Sequence, residues 1–142
     1  MDVFDFRKLP GPGVDEKIEL LAHAVIGAAI EVHRILGPGL PETVYKRAVS
    51  RELSLRQIPH QCEFPIPIIY KGEDVGLGKI DILVAGKLVI ELKAVDALCA
   101  VHRAQVVTYL QVRNERLGIL INFNVAMLRD GIKRVLNPNF KP

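Results

Sequence analysis

Apolar positions along the chain switch between helical and alternating spacing, and each switch marks an element. Ile18, Leu21, Val25, Ala28, Val32 and Leu36 recur at helical intervals. This predicts a helix over about 16 to 36 that turns this face to a sheet, with Asp15 as its cap. Gly37-Pro38-Gly39 ends it, and Pro41 suits the first position of a second helix running to about Gln57. The run from His60 to Tyr70 reads as a strand in which Pro65 and Pro67 both lack an N–H on one side, which predicts a place at or near a sheet edge. Lys71-Gly72-Glu73-Asp74 predicts a turn. Residues 79–84 and 88–93 are β-branched and aliphatic around a short Ala85-Gly86-Lys87 turn, the pattern of a hairpin. A helix is predicted over about 100 to 113. The continuous apolar run 117–121 then reads as a central strand covered on both faces, and Asp130-Gly131 turns into a short strand near 132 to 136.

The hairpin carries charge where it should be dry. With an odd loop, 85 to 87, Val84 faces Leu88, Ile82 faces Ile90, Ile80 faces Leu92, and Asp81 sits opposite Glu91. One face is then wholly apolar, and the other carries Asp81, Glu91 and Lys93 above Leu83 and Val89. An even loop would mix the two sets, and a one-residue slip flips every side chain, so the odd register is expected. Gly86 stands second in that loop, whereas the third position is the usual left-handed one. Directly opposed residues have Cβ atoms about 5 Å apart. Two carboxylates at that separation on a dry face either raise one pKa or hold a cation. Oxygen ligands so spaced suit Mg²⁺ or Mn²⁺, and Lys93 adds a positive group on the same face. A metal that polarises a phosphoryl oxygen, beside a cation that stabilises developing charge, is equipment for phosphodiester hydrolysis. The same residues also suit a structural Asp81–Lys93 or Glu91–Lys93 ion pair inside an ordinary sheet.

Composition is that of one compact domain. A chain of 142 residues can bury roughly two thirds of its unfolded surface, and a 49% hydrophobic share with nine Pro leaves no room for a long disordered segment. Residues 1–13, with Pro10-Gly11-Pro12-Gly13, read as a flexible lead-in to a single domain over 14–142. The acidic start does not match a signal peptide, and the longest apolar run, 24–30, is too short to span a bilayer. A cytoplasmic protein without a membrane partner is expected. Cys62 and Cys99 are too few and too far apart for a zinc site or a disulfide framework, so both are expected to be reduced, small and buried. The net charge of +3 is too mild to identify a nucleic-acid binder. Lys46, Arg47, Arg51 and Arg56, the group Arg103, Arg113 and Arg116, and Lys133-Arg134 read as solvated faces, because no aromatic residue is interleaved with them.

Further motifs flank the hairpin. Gly39-Leu40-Pro41-Glu42-Thr43-Val44-Tyr45 contains GxxExxY, and Gln105 and Tyr109 form QxxxY on the helix after Lys93, ahead of Ile121-Asn122-Phe123-Asn124. In this order, from about Ile18 to about Asn137, the chain resembles the GxxExxY family of the PD-(D/E)XK nuclease superfamily. The resemblance implies a restriction-endonuclease-like αβββαβ core, an α/β fold with a mixed sheet flanked by helices. It also implies a divalent metal held by Asp81, Glu91 and the Leu92 carbonyl, with Lys93 as catalytic lysine. Glu42 would be an upstream acid completing the site, although a place in the first turn of a helix also suits the helix dipole. Tyr45, one turn on, shares its face. Glu31, with His33 close by, is the reserve candidate for that acid, and a solvated position is expected for both. His102, Gln105 and Tyr109 stand at i, i+3 and i+7 as a polar stripe aimed at the carboxylate face, and the resemblance places Gln105 and Tyr109 beside nucleic acid. Inactive or repurposed members share such folds, so a noncatalytic module that binds nucleic acid or protein stays open beside the nuclease. A core this small, without a separate recognition domain, would gain nucleic-acid footprint as a homodimer.

Overall fold

The structure, a computed structural model, describes residues 14–142; the lead-in expected over 1–13 lies outside the described residues. Helix α1 spans Glu16–Leu36, opened by Asp15, whose carboxylate accepts from the Lys17 amide. Ala22, Val25, Ile26, Ala28, Ala29 and Val32 are buried along it. Leu36, expected on that face, is exposed in the last turn, beyond the area the sheet covers. His33, expected in solvent, is buried and hydrogen-bonds the Val125 carbonyl through Nε2 at 2.8 Å. Helix α2 spans Glu42–Leu55. Pro41 is therefore its cap and not its first helical residue: the extended ψ of 148° puts it outside the helix.

Strands β1 (His60–Tyr70), β2 (Glu73–Val84) and β3 (Leu88–Lys93) follow as two antiparallel pairings. Helix α3 covers Ala100–Arg113, β4 covers Leu117–Asn122, and after a 3-10 turn at Leu128–Gly131 comes β5, Ile132–Leu136. The sheet runs β1-β2-β3-β4-β5, with β3 and β4 parallel and the other neighbours antiparallel. β1 is the edge that its prolines require, and β4 is buried along its whole length between β3 and β5. Strand β2 begins at Glu73, well before the expected 79, because its exposed first half gains no apolar pattern of its own and is held by pairing with β1.

Helices α1 and α2 pack on one face of the sheet against Ile82, Val84, Leu88, Ile90, Leu92 and Ile119. On the other face α3 packs through Val106, Tyr109 and Leu110 against Ile66, Ile80, Leu83, Val89 and Leu120. The expected α/β architecture, a mixed sheet between helical layers, is thus what forms. Among the described residues no helix is long and apolar enough to cross a membrane. Cys62 and Cys99 are free thiols but exposed, which corrects their expected burial: one lies on the edge strand and the other in the loop opening α3.

The hairpin register is the odd one, with Ile82 opposite Ile90, Leu83 opposite Val89 and Val84 opposite Leu88. Its turn places Ala85 and Gly86 in the left-handed region at φ 51° and 69°, closed by the Lys87 amide on the Val84 carbonyl. The ladder stops at Ile82. Ile80 packs with Leu83 and Val89 on the α3 side and not with Leu92, so the alternation loses phase at Asp81. On the other flank of β2 the pairing with β1 passes from Cys62–Ile82 to Phe64–Ile80 and omits the pair between them, where Glu63 has a φ of 54°. Both breaks fall at the same level of the sheet and release Asp81 from regular pairing.

Candidate active site

At this break each acid reaches into the other's strand. Asp81 Oδ2 accepts from the Leu92 amide at 2.8 Å, and Glu91 Oε1 accepts from the Asp81 amide at 3.0 Å. Two side-chain bonds thus replace ladder bonds and lock the carboxylates into the seam between β2 and β3. Asp81 and Glu91 are both buried. Burial, reinforced by the Asp81 charge, pushes the Glu91 carboxyl up to about 8, against the opposing pull of Lys93. Lys93 itself forms no salt bridge among the described residues. The ion pair with Asp81 or Glu91 that the sequence left open is therefore absent among them.

Glu42, in the first turn of α2, belongs to the same electrostatic neighbourhood. Burial and the Asp81 charge raise its pKa, while Lys93, Lys46 and His102 oppose them. The fold thus sets Glu42 from α2 and Lys93 from β3 within electrostatic reach of the Asp81–Glu91 pair, with His102 at the start of α3 acting on Glu42.

A family model described as the PD-(D/E)XK nuclease superfamily matches residues 19–135. The chain belongs to this superfamily. No curated protein matches it. The mixed sheet between helices is the restriction-endonuclease-like fold of these nucleases, which generally use divalent metals. Among the described residues no group of three or more His, Cys, Asp or Glu side chains converges as a metal cage. A donor set of two seam carboxylates completed by a backbone carbonyl and waters is what remains, and it is chemically suited to a hard cation. The raised Glu91 pKa fits this need, since a bound cation would offset both the burial and the Asp81 repulsion that raise it.

The other residues singled out in the sequence divide by contact. Tyr45 is fully buried, stacks on Phe123 at 4.5 Å, donates its hydroxyl proton to the Gly37 carbonyl at 2.5 Å and accepts from the Leu40 amide at 3.1 Å. Its contacts lie within the fold: it latches the turn through Gly39, φ 97°, that leads into Glu42. Gln105 Nε2 donates to the Tyr109 hydroxyl at 3.3 Å. Tyr109 lies over Gly78, three residues before Asp81, where an added Cβ would come within 2.9 Å of the ring. His102 accepts from the Cys99 amide through Nδ1 at 3.1 Å and so caps α3. Glu31 is not brought to the site. It pairs with Arg34 one turn on, and that partner, above all by hydrogen bonding, lowers its pKa.

Two site residues carried no role in the sequence reading. Lys46, placed there on a solvated face, has a side chain only 15% exposed and bonds Asp81 Oδ1 at 3.0 Å and Glu63 Oε1 at 2.6 Å. Burial works to lower its pKa, but the bonds and charges of Glu63 and Asp81 prevail and raise it. The available signal was its position one helical turn after Glu42, on the same face. Asn122 brackets Val95, accepting from its amide at 3.0 Å and donating to its carbonyl at 2.9 Å, which fixes the chain just after Lys93. A polar residue ending an otherwise apolar buried strand was the signal for it.

Proposed function

We propose that this chain is a metal-dependent nuclease of the GxxExxY group within its superfamily, acting on DNA or RNA. The observation that carries this reading is the interlocked Asp81–Glu91 pair with Lys93, which enters no salt bridge among the described residues, in electrostatic reach of Glu91. Asp81, Glu91 and the Leu92 carbonyl would hold Mg²⁺ or Mn²⁺, which when bound polarises a phosphoryl oxygen and lowers the pKa of a bound water. Lys93 places a cation where negative charge develops in the transition state, in a water-poor setting that strengthens its effect. Glu42 supplies a third acid at the rim, where burial and the Asp81 charge raise its pKa in the metal-free protein. Gln105 and Tyr109 position the nucleic-acid strand.

A noncatalytic nucleic-acid-binding or protein-interaction module is favoured by one observation, the Lys46–Asp81 salt bridge, which gives Asp81 a cationic partner without any metal. Incubation with single- and double-stranded DNA and RNA in Mg²⁺ or Mn²⁺ separates the two. The expected outcome is metal-dependent cleavage of at least one substrate, abolished by Lys93→Ala with binding nearly unchanged, because the lysine acts on transition-state charge. Binding without cleavage on every substrate, weakened by Lys93→Ala, would establish the noncatalytic module instead.

A further inference from the structure

Lys46 is one ammonium shared by two carboxylates of unlike character. Asp81 is buried in the seam, with a side chain 10% exposed, and its second oxygen is already taken by the Leu92 amide. Glu63 is 49% exposed and has no other hydrogen-bond or salt-bridge partner among the described residues. Its left-handed φ of 54° lies in the middle of β1, where a non-glycine residue is costly and persists only when its surroundings hold it there. That conformation, together with the omitted β1–β2 pair, turns the Glu63 carboxylate to Lys46. Both residues line an open groove of about 340 Å³ between α2 and β1, with Arg47, Ser50, Arg51 and Cys62. The ammonium therefore has room to leave Asp81 without leaving Glu63.

We propose that Lys46 is a tethered counter-cation: it occupies Asp81 in the metal-free protein and retreats to Glu63 when a divalent cation binds, so that the Lys46–Glu63 pair sets the metal affinity of the site. The inference rests on the proposed metal site. A cation ligated by Asp81 would stand about 3 to 5 Å from Nζ if Lys46 stayed in place, a separation at which like charges in a partly buried setting repel strongly. The lysine stem is flexible and its ammonium carries three donors, so retreat preserves one ion pair and removes the repulsion. Glu63 is the receiver that makes the retreat favourable.

The test is a Mn²⁺ titration of the purified full chain, in which electron paramagnetic resonance reads the free ion, with Mg²⁺ as competitor. Lys46→Met is expected to bind Mn²⁺ about tenfold more tightly than wild type, the effect of about 1.4 kcal/mol. Lys46→Arg, which keeps the charge, should stay near wild type. Glu63→Gln should bind several-fold more weakly, because the displaced lysine has lost its receiver, and this half-exposed position keeps the test independent of any folding defect at Lys46. Wild-type binding with both Lys46→Met and Glu63→Gln unchanged would overturn the inference and leave the metal site standing. Absence of Mn²⁺ binding in every variant would overturn the metal site and the inference together.

Discussion

Glu91 shows how a single carboxyl records its surroundings. Its pKa is raised from 4.5 to about 8, by burial first and by Asp81 second. A carboxyl whose folded-state pKa exceeds its unfolded value binds its proton more tightly in the folded protein, so it adds stability at low pH. That contribution is complete below about pH 4.5 and is lost as the pH rises through about 8. The melting temperature of metal-free protein is therefore expected to fall across this window, and Glu91→Gln should flatten the fall. A wild-type profile that rises from pH 5 to 8, with Glu91→Gln indistinguishable from it, would contradict the assignment. The acids were legible in the sequence because alternation makes a charge inside an aliphatic strand conspicuous. Lys46 was not, because a lysine on an amphipathic helix looks alike in solvent and over a buried aspartate, and only the tertiary pairing of α2 with β2 distinguishes them.

At the scale of elements, the turn between α1 and α2 is held by one hydroxyl. Tyr45 binds the Gly37 carbonyl and the Leu40 amide, bridging the end of α1 to the turn that opens α2, so the angle at which Glu42 enters the site depends on it. Tyr45→Phe keeps the stacking on Phe123 but leaves both backbone groups without this partner, at an expected cost of about 1 to 3 kcal/mol in urea unfolding. An unchanged midpoint would show that the turn holds without the latch. The helix–strand punctuation farther along the chain was readable: α3 forms over the predicted span, and β1 takes the edge its two prolines require. The first half of β2 was not, since Glu73, Asp74 and Gly76 lack strand character and only the neighbouring β1 makes them a strand. Likewise the loss of phase at Asp81 breaks the periodicity from which the hairpin was read, so Ile80 was assigned to the wrong face.

For the molecule as a whole, the β2–β3 pairing joins the outer β1–β2 hairpin to the parallel β3–β4 pair within the sheet. The strand order beyond β3 required knowing that α3 returns the chain so that β4 lies parallel to β3, which local patterning does not encode. Within the seam, the amides of Asp81 and Leu92 are bonded by carboxylates and not by strand carbonyls. These two amides should exchange with solvent deuterium faster in variants lacking the opposing acid, Leu92 in Asp81→Ala and Asp81 in Glu91→Ala, while Leu83 and Val89 stay protected. Unaltered exchange at both positions would mean that other acceptors replace the acids. The same two side chains are thus both stitches of the sheet and the acids of the proposed chemistry. A variant that deletes either acid is expected to be a loosened protein as well as one without the proposed chemistry, whereas Lys93→Ala removes a charge that no salt bridge among the described residues depends on, and is expected to silence the proposed site with the seam still sewn.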